Sequence, residues 1–389
     1  MTGRISHLAG RPTFGPAATS VLTASDFATA AAEVTQWQGY VPTPLHYLAD
    51  VAAEIGVAAV AYKDEGPRFG LGSFKALGGA YAAQRLLQRE LSRRAGTDIS
   101  LADIRYGAFA DQASGITLVS ATDGNHGRSL AWGCRRFGAR CRIYIHANVS
   151  KARERAMRDL GADIERIRGD YDDSVIRCRQ DAEINGWFVI SDTSWSGYEE
   201  TPRDVMAGYG VMLREVHEQA GRDFSHVFVQ GGVGGLAAAT AAALRQLYGA
   251  GSPRVVVVEP MRAACLFESA RLGRPTAVTI ETETIMAGLS CGEPSPLAWR
   301  VLESEVSDFL AVDDRLIPPT VRRLARPAGA DPAIEAGESG VAGLAALIEA
   351  AGSNELRDRL DLGADSRVLL IGSEGVTDAD IYAEIMRGA

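Results

Sequence analysis

Short runs dominated by Val, Ile and Leu recur along the chain, separated by longer stretches whose apolar positions fall three and four residues apart. The runs cover residues 57–63, 116–121, 141–147, 186–191, 226–230, 254–260 and 367–372. Near-continuous β-branched stretches, such as RVVVVEP at 254–260, fit strands buried on both faces and hence parallel sheets. The helical stretches cover 73–91, 127–138, 151–161, 203–221 and 235–249, and most end on glycine, which stops a helix without steric cost. Alternating β and α segments over this length predict an α/β protein. Residues 1–40 have no strong period and read as an N-terminal arm. Residues 93–115 are polar and irregular and mark a crossing between lobes. There is no internal repeat and no low-complexity linker.

The length, 389 residues, allows two or three domains. A net charge of −9 with no basic run argues against a nucleic-acid partner. No uncharged apolar stretch reaches the roughly 18–20 residues that span a bilayer, and MTGRISHLAGRPTFG lacks the apolar core of a leader. A cytoplasmic protein with no membrane partner is the expectation. The cysteines at 134, 141, 178, 265 and 291 are too sparse for a disulfide scaffold, none lies in CxxC spacing, and no metal site is expected.

One count narrows the chemistry. Of 40 basic residues only Lys63, Lys75 and Lys151 are lysines. Arginine stays protonated and cannot condense with a carbonyl, so nucleophilic amine chemistry has three candidates. Lys63 falls inside a strand and reads as structural. Lys151 opens a charged helix and reads as solvated. Lys75 falls in the first turn of a helix, where the positive helix end disfavours an ammonium and suits a neutral, reactive amine.

Ligands of open parallel sheets sit at strand carboxyl ends, and three strand-to-helix loops here are unusual. The first is Gln230-Gly231-Gly232-Val233-Gly234-Gly235-Leu236, after the 226–230 run. Four glycines in five positions let backbone N–H groups converge at a helix start, which suits a phosphate. Neither GK[ST] nor GxGxxG spacing is present, which disfavours a nucleoside-triphosphate or nicotinamide site; a close-packed turn is the bland alternative. The second is Ala121-Thr122-Asp123-Gly124-Asn125-His126-Gly127, whose Thr, Asn and free amides at a helix start suit a carboxylate. Asp123 reads either as a functional acid or as a helix cap, and His126 as a structural residue. The third is Gly70-Leu71-Gly72-Ser73-Phe74-Lys75, with Ser73 as the cap. A phosphate cradle, a reactive lysine and a carboxylate-accepting loop together point to pyridoxal 5′-phosphate.

These segments, with SDTSWSGYEETPRDVMAGY at 191–209 and TIMAGLSCGEPS at 284–295, resemble the diaminopropionate ammonia-lyases from about residue 36 to the C-terminus. The resemblance implies a two-lobed tryptophan synthase β-like α/β fold (fold type II) with pyridoxal phosphate between the lobes, and a homodimer. It places a large cofactor-binding domain at 1–92 and 200–389 and a small substrate-binding domain at 93–199. Enzymes of aminotransferase type carry their reactive lysine in the second half of the chain, and no lysine follows residue 151 here.

The implied reaction removes ammonia from 2,3-diaminopropionate, an amino-acid substrate taken in both D and L forms. Lys75 and Asp123 are the implied bases on opposite faces. Phe74, Asn125, Gly231, Gly232, Val233, Gly234, Gly235 and Ser373 are assigned to the cofactor; Thr122, Asp123, Gly124 and Asp192 are assigned to the substrate. Generic dehydratases have a small residue where Asp123 stands, which favours a diamino acid over hydroxyl substrates. Asp192 is expected near Asp123 or the β-amine, with one of two close carboxyls raised in pKa as a proton donor; a loop cap is the alternative. Ser373, beside Glu374, is the candidate for the ring nitrogen, and Glu338-Ser339-Gly340 for the ring edge. Cys265 and Cys291 flank the implied entrance and are expected to remain unpaired thiols. The alternatives are a serine/threonine dehydratase-like or β-replacement enzyme, a nicotinamide-dependent oxidoreductase and a non-catalytic binding relative.

Overall fold

The computed structural model describes residues 4–122 and 124–388. Its strands are β1 (Ile5–Ala9), β2 (Leu45–Tyr47), β3 (Ala59–Asp64), β4 (Thr117–Ala121), β5 (Arg140–Ile145), β6 (Asp163–Arg166), β7 (Phe188–Val189), β8 (His226–Gln230), β9 (Arg254–Pro260), β10 (Asp308–Val312) and β11 (Arg367–Gly372). They form a seven-stranded sheet in the order β1-β10-β9-β8-β11-β3-β2 and a four-stranded sheet in the order β6-β5-β4-β7. β10, β9, β8, β11 and β3 run parallel, and antiparallel β1 and β2 close the two edges. The second sheet is parallel throughout. The valines 255–258 of β9 are all buried, as a strand covered on both faces requires.

The chain separates into two compact units. One takes residues up to Ala24, Pro42–Phe74 and the chain from Met212 onward; the other takes Ser25–Val41 and Lys75–Val211. The divisions of these units lie at 24/25, 41/42, 74/75 and 211/212. Helix Lys75–Ala95 belongs to the second unit. A Cβ on Gly79 would stand 2.7 Å from Ser129 Oγ, and one on Gly133 2.8 Å from Ala80 Cα. Helices 75–95 and 125–137 therefore meet backbone to backbone through their small residues. Helix Glu200–Ala220 joins the same group through Tyr209, which would lie 2.4 Å from a Cβ on Gly78.

The N-terminal arm is more ordered than its sequence implied. It holds β1, whose His7 bonds Asp308 at 2.8 Å, and helices Ala17–Val21 and Ala24–Val34. The 93–115 stretch contains helix Leu101–Arg105, fixed by a Ser100/Asp103 capping box, and helix Ala110–Ala113.

Parallel pairing decides where the loops emerge. In the first unit, β9, β8 and β11 are neighbours, so Glu259, Gly231 and Ser373 leave the same carboxyl edge. In the second, β4 and β7 are neighbours, so the 122–127 loop and Asp192 share an edge.

Candidate active site

Lys75 is the first residue of its helix, and its Nζ pairs with Asp192 Oδ2. Their side chains keep 21% and 16% of their surface exposed. Asp192 sits on a braced loop. Trp195 and Tyr198 stack at 3.9 Å across a turn with Gly197 left-handed at its third position. The Tyr198 hydroxyl accepts from Ser191 N–H at 3.0 Å and donates to the Val189 carbonyl at 2.8 Å. His126, buried in the first turn of helix Asn125–Phe137, donates from Nε2 to the Ile190 carbonyl at 2.9 Å. A carbonyl only accepts, so the ring proton is on Nε2 and Nδ1 faces Asp192 Oδ2 at 4.0 Å. Burial pushes the His126 imidazole below its ordinary value, against the pull of Asp192. Burial would raise the Asp192 carboxyl, but Lys75 and then His126 overcome it and hold the group well below the usual carboxylate range. Thr122, also buried, accepts the Gly124 N–H at 3.3 Å and shapes the loop that opens the helix.

The glycine run lies in the other unit. Gly231 donates to the Val258 carbonyl at 2.9 Å, and Gly232 and Gly234 have φ of +61° and +99°. A side chain is costly at those angles. At Gly231 a Cβ would meet Glu259 Cγ at 2.5 Å. Gly235 begins helix Gly235–Tyr248. Gln230 braces the run, donating from Nε2 to Ile371 O at 2.7 Å and to the Ser339 and Gly340 carbonyls at 3.2 Å. Ser373, 3% exposed, follows β11, and its carbonyl accepts Phe74 N–H at 3.1 Å. Glu374 is a loop clamp: its Oε1 accepts Ser339 N–H at 3.1 Å. Ser339 Oγ in turn accepts Gly288 N–H at 3.1 Å.

In the second unit, therefore, the fold brings Lys75, Asp192, His126 and the Thr122–Gly124 loop together. In the first it brings together the glycine run, Ser373 and the 338–340 loop. Asp123 lies outside the described residues. Asp192, whose expected neighbour Asp123 is not among the described residues, stands against the Lys75 amine, which holds its carboxyl low. Its braced loop, not a helix cap, sets its position. His126 is structural in its anchor to Ile190 and faces Asp192 with its other nitrogen. Lys63 is buried in an ion network with Glu215, and Lys151 is exposed, as their contexts implied. None of the five cysteines is in a disulfide. The sequence assigns no part to Tyr198, Gln230 and Glu259. Gln230 acts on residues 109 to 141 positions away. The bonds of Tyr198 and Glu259, within nine positions, depend on loop geometry rather than on a pattern; the lone Glu at the end of the Val-rich run was the one available signal.

Glycines closed to a Cβ at a helix start, together with a lysine amine held by a carboxylate, fit a phosphorylated carbonyl cofactor. Residues 36–374 match the family model of the pyridoxal-phosphate dependent enzymes. The chain is 36% identical over 357 residues to a diaminopropionate ammonia-lyase of Salmonella typhimurium, covering 89% of this chain and 88% of that one. It resembles the solved Escherichia coli diaminopropionate ammonia-lyase in complex with an aminoacrylate-PLP azomethine reaction intermediate, with TM-score 0.88 and 34% identity over 99% and 97% of the two chains. Tomato threonine deaminase isoform 2 shares the fold at TM-score 0.73 and 19% identity, over 99% of this chain and 97% of that one. With that family model over most of its length, these relatives and two parallel-rich sheets, the chain belongs to the pyridoxal-phosphate dependent enzymes of fold type II, alongside the diaminopropionate ammonia-lyases.

Proposed function

We propose that this chain is a pyridoxal phosphate-dependent carbon–nitrogen lyase that converts 2,3-diaminopropionate, in D and L forms, to pyruvate and two molecules of ammonia. The carrying observation is Lys75 at a helix start, paired with Asp192 and flanked by His126. When bound, the cofactor supplies a carbonyl for amine condensation and a ring that withdraws electrons from Cα. Gly231–Gly235 would hold its phosphate, Lys75 and Phe74 its aldehyde end with Asn125, and Ser373 its ring nitrogen. A hydroxyl at that nitrogen leaves it unprotonated, which favours prompt elimination.

Thr122, Gly124 and the first amides of helix 125–137 bind the substrate α-carboxylate. Lys75 Nζ takes the Cα proton from one face and Asp123 from the other, according to the enantiomer. Because Asp192 stays ionised, a proton gained by Lys75 remains on Nζ, donated to Asp192, until it moves to the departing β-amine. The released enamine hydrolyses to pyruvate with the second ammonia. We place the enzyme in the cytoplasm as a homodimer; among the described residues no helix is long and apolar enough to cross a membrane.

The test measures ammonia and pyruvate from D- and L-diaminopropionate beside serine and threonine. Turnover of both diamino acids well above the hydroxyl ones is expected, and faster release from serine or threonine would favour the dehydratase alternative. Asp123→Asn should slow one enantiomer at least about tenfold more than the other; equal losses would remove its role as the second base.

A further inference from the structure

Glu259 is a buried titratable group that the reaction above does not use. It stands at the end of β9 with no measurable exposure, directly behind the glycine run. Its Oε1 accepts Leu266 N–H at 3.0 Å and its Oε2 accepts Phe267 N–H at 2.7 Å, so it grips the start of helix Cys265–Leu272. That helix returns to the run: Cys265 Sγ donates to the Gly232 carbonyl at 3.5 Å and lies 3.8 Å from Glu259 Oε1. One side chain therefore fills the space a Cβ on Gly231 would need, its Cγ 2.5 Å from that position, and reaches Gly232 through the next element.

We propose that Glu259 is the positioning residue of the phosphate-binding glycine run, and that a phosphorylated ligand and a proton on Glu259 bind together. The proposal rests on the cofactor reading above. Its physical basis is the charge environment. The groups facing Glu259 are backbone N–H from helix 265–272, the Cys265 thiol and the Glu268 carboxylate on the same helix; Cys291 lies beside Gly232 and acts on Cys265. No lysine, arginine or histidine pairs with it among the described residues. Burial pushes its carboxyl up to about 8, with the two amides pulling the other way. A phosphate dianion held by the glycine run would add negative charge near Glu259 and raise its carboxyl further.

The sign follows from linkage. The group is neutral below about 8 in the free protein, and the bound complex holds its proton to higher pH. Affinity is therefore full at neutral pH and declines as pH rises past the free-state value. A bound-state value one or more units higher gives a loss of roughly five- to tenfold between pH 7 and 9.

The test uses 4′-deoxypyridoxine 5′-phosphate, which lacks the aldehyde and cannot condense with Lys75. Its dissociation constant is measured by calorimetry at pH 7 and 9 for the full chain and for Glu259→Gln, in two buffers of different ionisation enthalpy. Titration of the ligand and of Lys75 is common to both proteins and cancels in the comparison. The wild type should lose about five- to tenfold in affinity relative to Glu259→Gln and take up protons on binding near pH 8.5. The same pH slope and the same uptake in both proteins would overturn the assignment to Glu259. Absence of binding at pH 7 would overturn the cofactor reading and the proposal with it. A ¹³C-carboxyl titration of the wild type guards against a variant that does not fold. One glutamate resonance must titrate near 8 and move upward with the probe, and its absence would overturn the proposal.

Discussion

Two lysines twelve positions apart in the sequence each contact a carboxylate, and only one is placed to react. Lys63 is fully buried, and its three N–H groups go to the Thr43 carbonyl at 2.7 Å, Glu215 Oε2 at 2.7 Å and Gln219 Oε1 at 3.0 Å. An ammonium has three donors, so every direction around that nitrogen is taken. Glu215 is also held by Arg68 at 2.7 Å, and Arg68 by Glu65 at 2.8 Å. Burial lowers the Lys63 amine, with Glu215 opposing, yet the amine stays inert because nothing can approach it. Lys75 meets its partner on a loop edge with a fifth of its side chain exposed. Approach, more than charge or pairing, separates the lysine we propose as reactive from the structural one.

The sharpest break of that comparison removes each lysine in turn. Lys75→Ala should abolish the visible absorption of the cofactor-loaded protein and cut turnover by more than about 10³-fold, with a near-normal urea midpoint. Lys63→Met should do the reverse. It should lose about 3 kcal/mol of stability by leaving an ion network short of one partner, and keep the absorption band. A bleached Lys63→Met protein, or a coloured Lys75→Ala one, would invert the assignment.

A smaller effect follows from the partner of Lys75. Asp192→Asn should lower kcat/KM about 10²-fold and leave Lys75 less well oriented. The pH dependence has a definite sign. The Asp192 carboxyl is depressed in the folded protein, so its contribution to stability is present above about 4, its unfolded value, and is lost as pH falls toward the depressed one. The substitution should flatten that acid limb in thermal melts, and an unchanged limb would mean the pair contributes nothing.

The comparison also shows what the sequence carries. The Val-rich runs locate strands well because burial on both faces imposes one composition. The 186–191 run predicts a six-residue strand and yields only Phe188–Val189, because Ser191 N–H is taken by the Tyr198 hydroxyl instead of a neighbouring strand. β10 was not read at all: its polar first residue, Asp308, answers to His7 and Arg254, which no local pattern reveals. In the site, Lys75 and the glycine run are legible because helix starts and glycine φ angles are local properties. The Lys63 network is not, since Glu215 and Gln219 lie 152 and 156 residues away in sequence; the Tyr198 brace and the Glu259 grip join residues within nine positions, but through loop geometry that no periodicity marks.

The finest test concerns His126, which is structural at one nitrogen and faces the Lys75–Asp192 pair with the other. Its imidazole is depressed chiefly by burial, so the neutral ring is favoured in the folded state. Stability should therefore be undiminished above about 6.5, the unfolded value, and fall as pH drops below it. His226 is depressed for the same first reason and adds a parallel slope, so the useful quantity is the difference between wild type and His126→Gln. The glutamine can still donate to the Ile190 carbonyl but cannot take a proton. If Nδ1 acts on the reaction through Asp192, His126→Gln should also shift the acid limb of kcat/KM, by less than about one pH unit, with KM nearly constant. If the residue only anchors the loop, the stability difference will remain and the kinetic limb will stay where it is in the wild type. The two readings of one buried ring thus separate on a single pair of pH profiles.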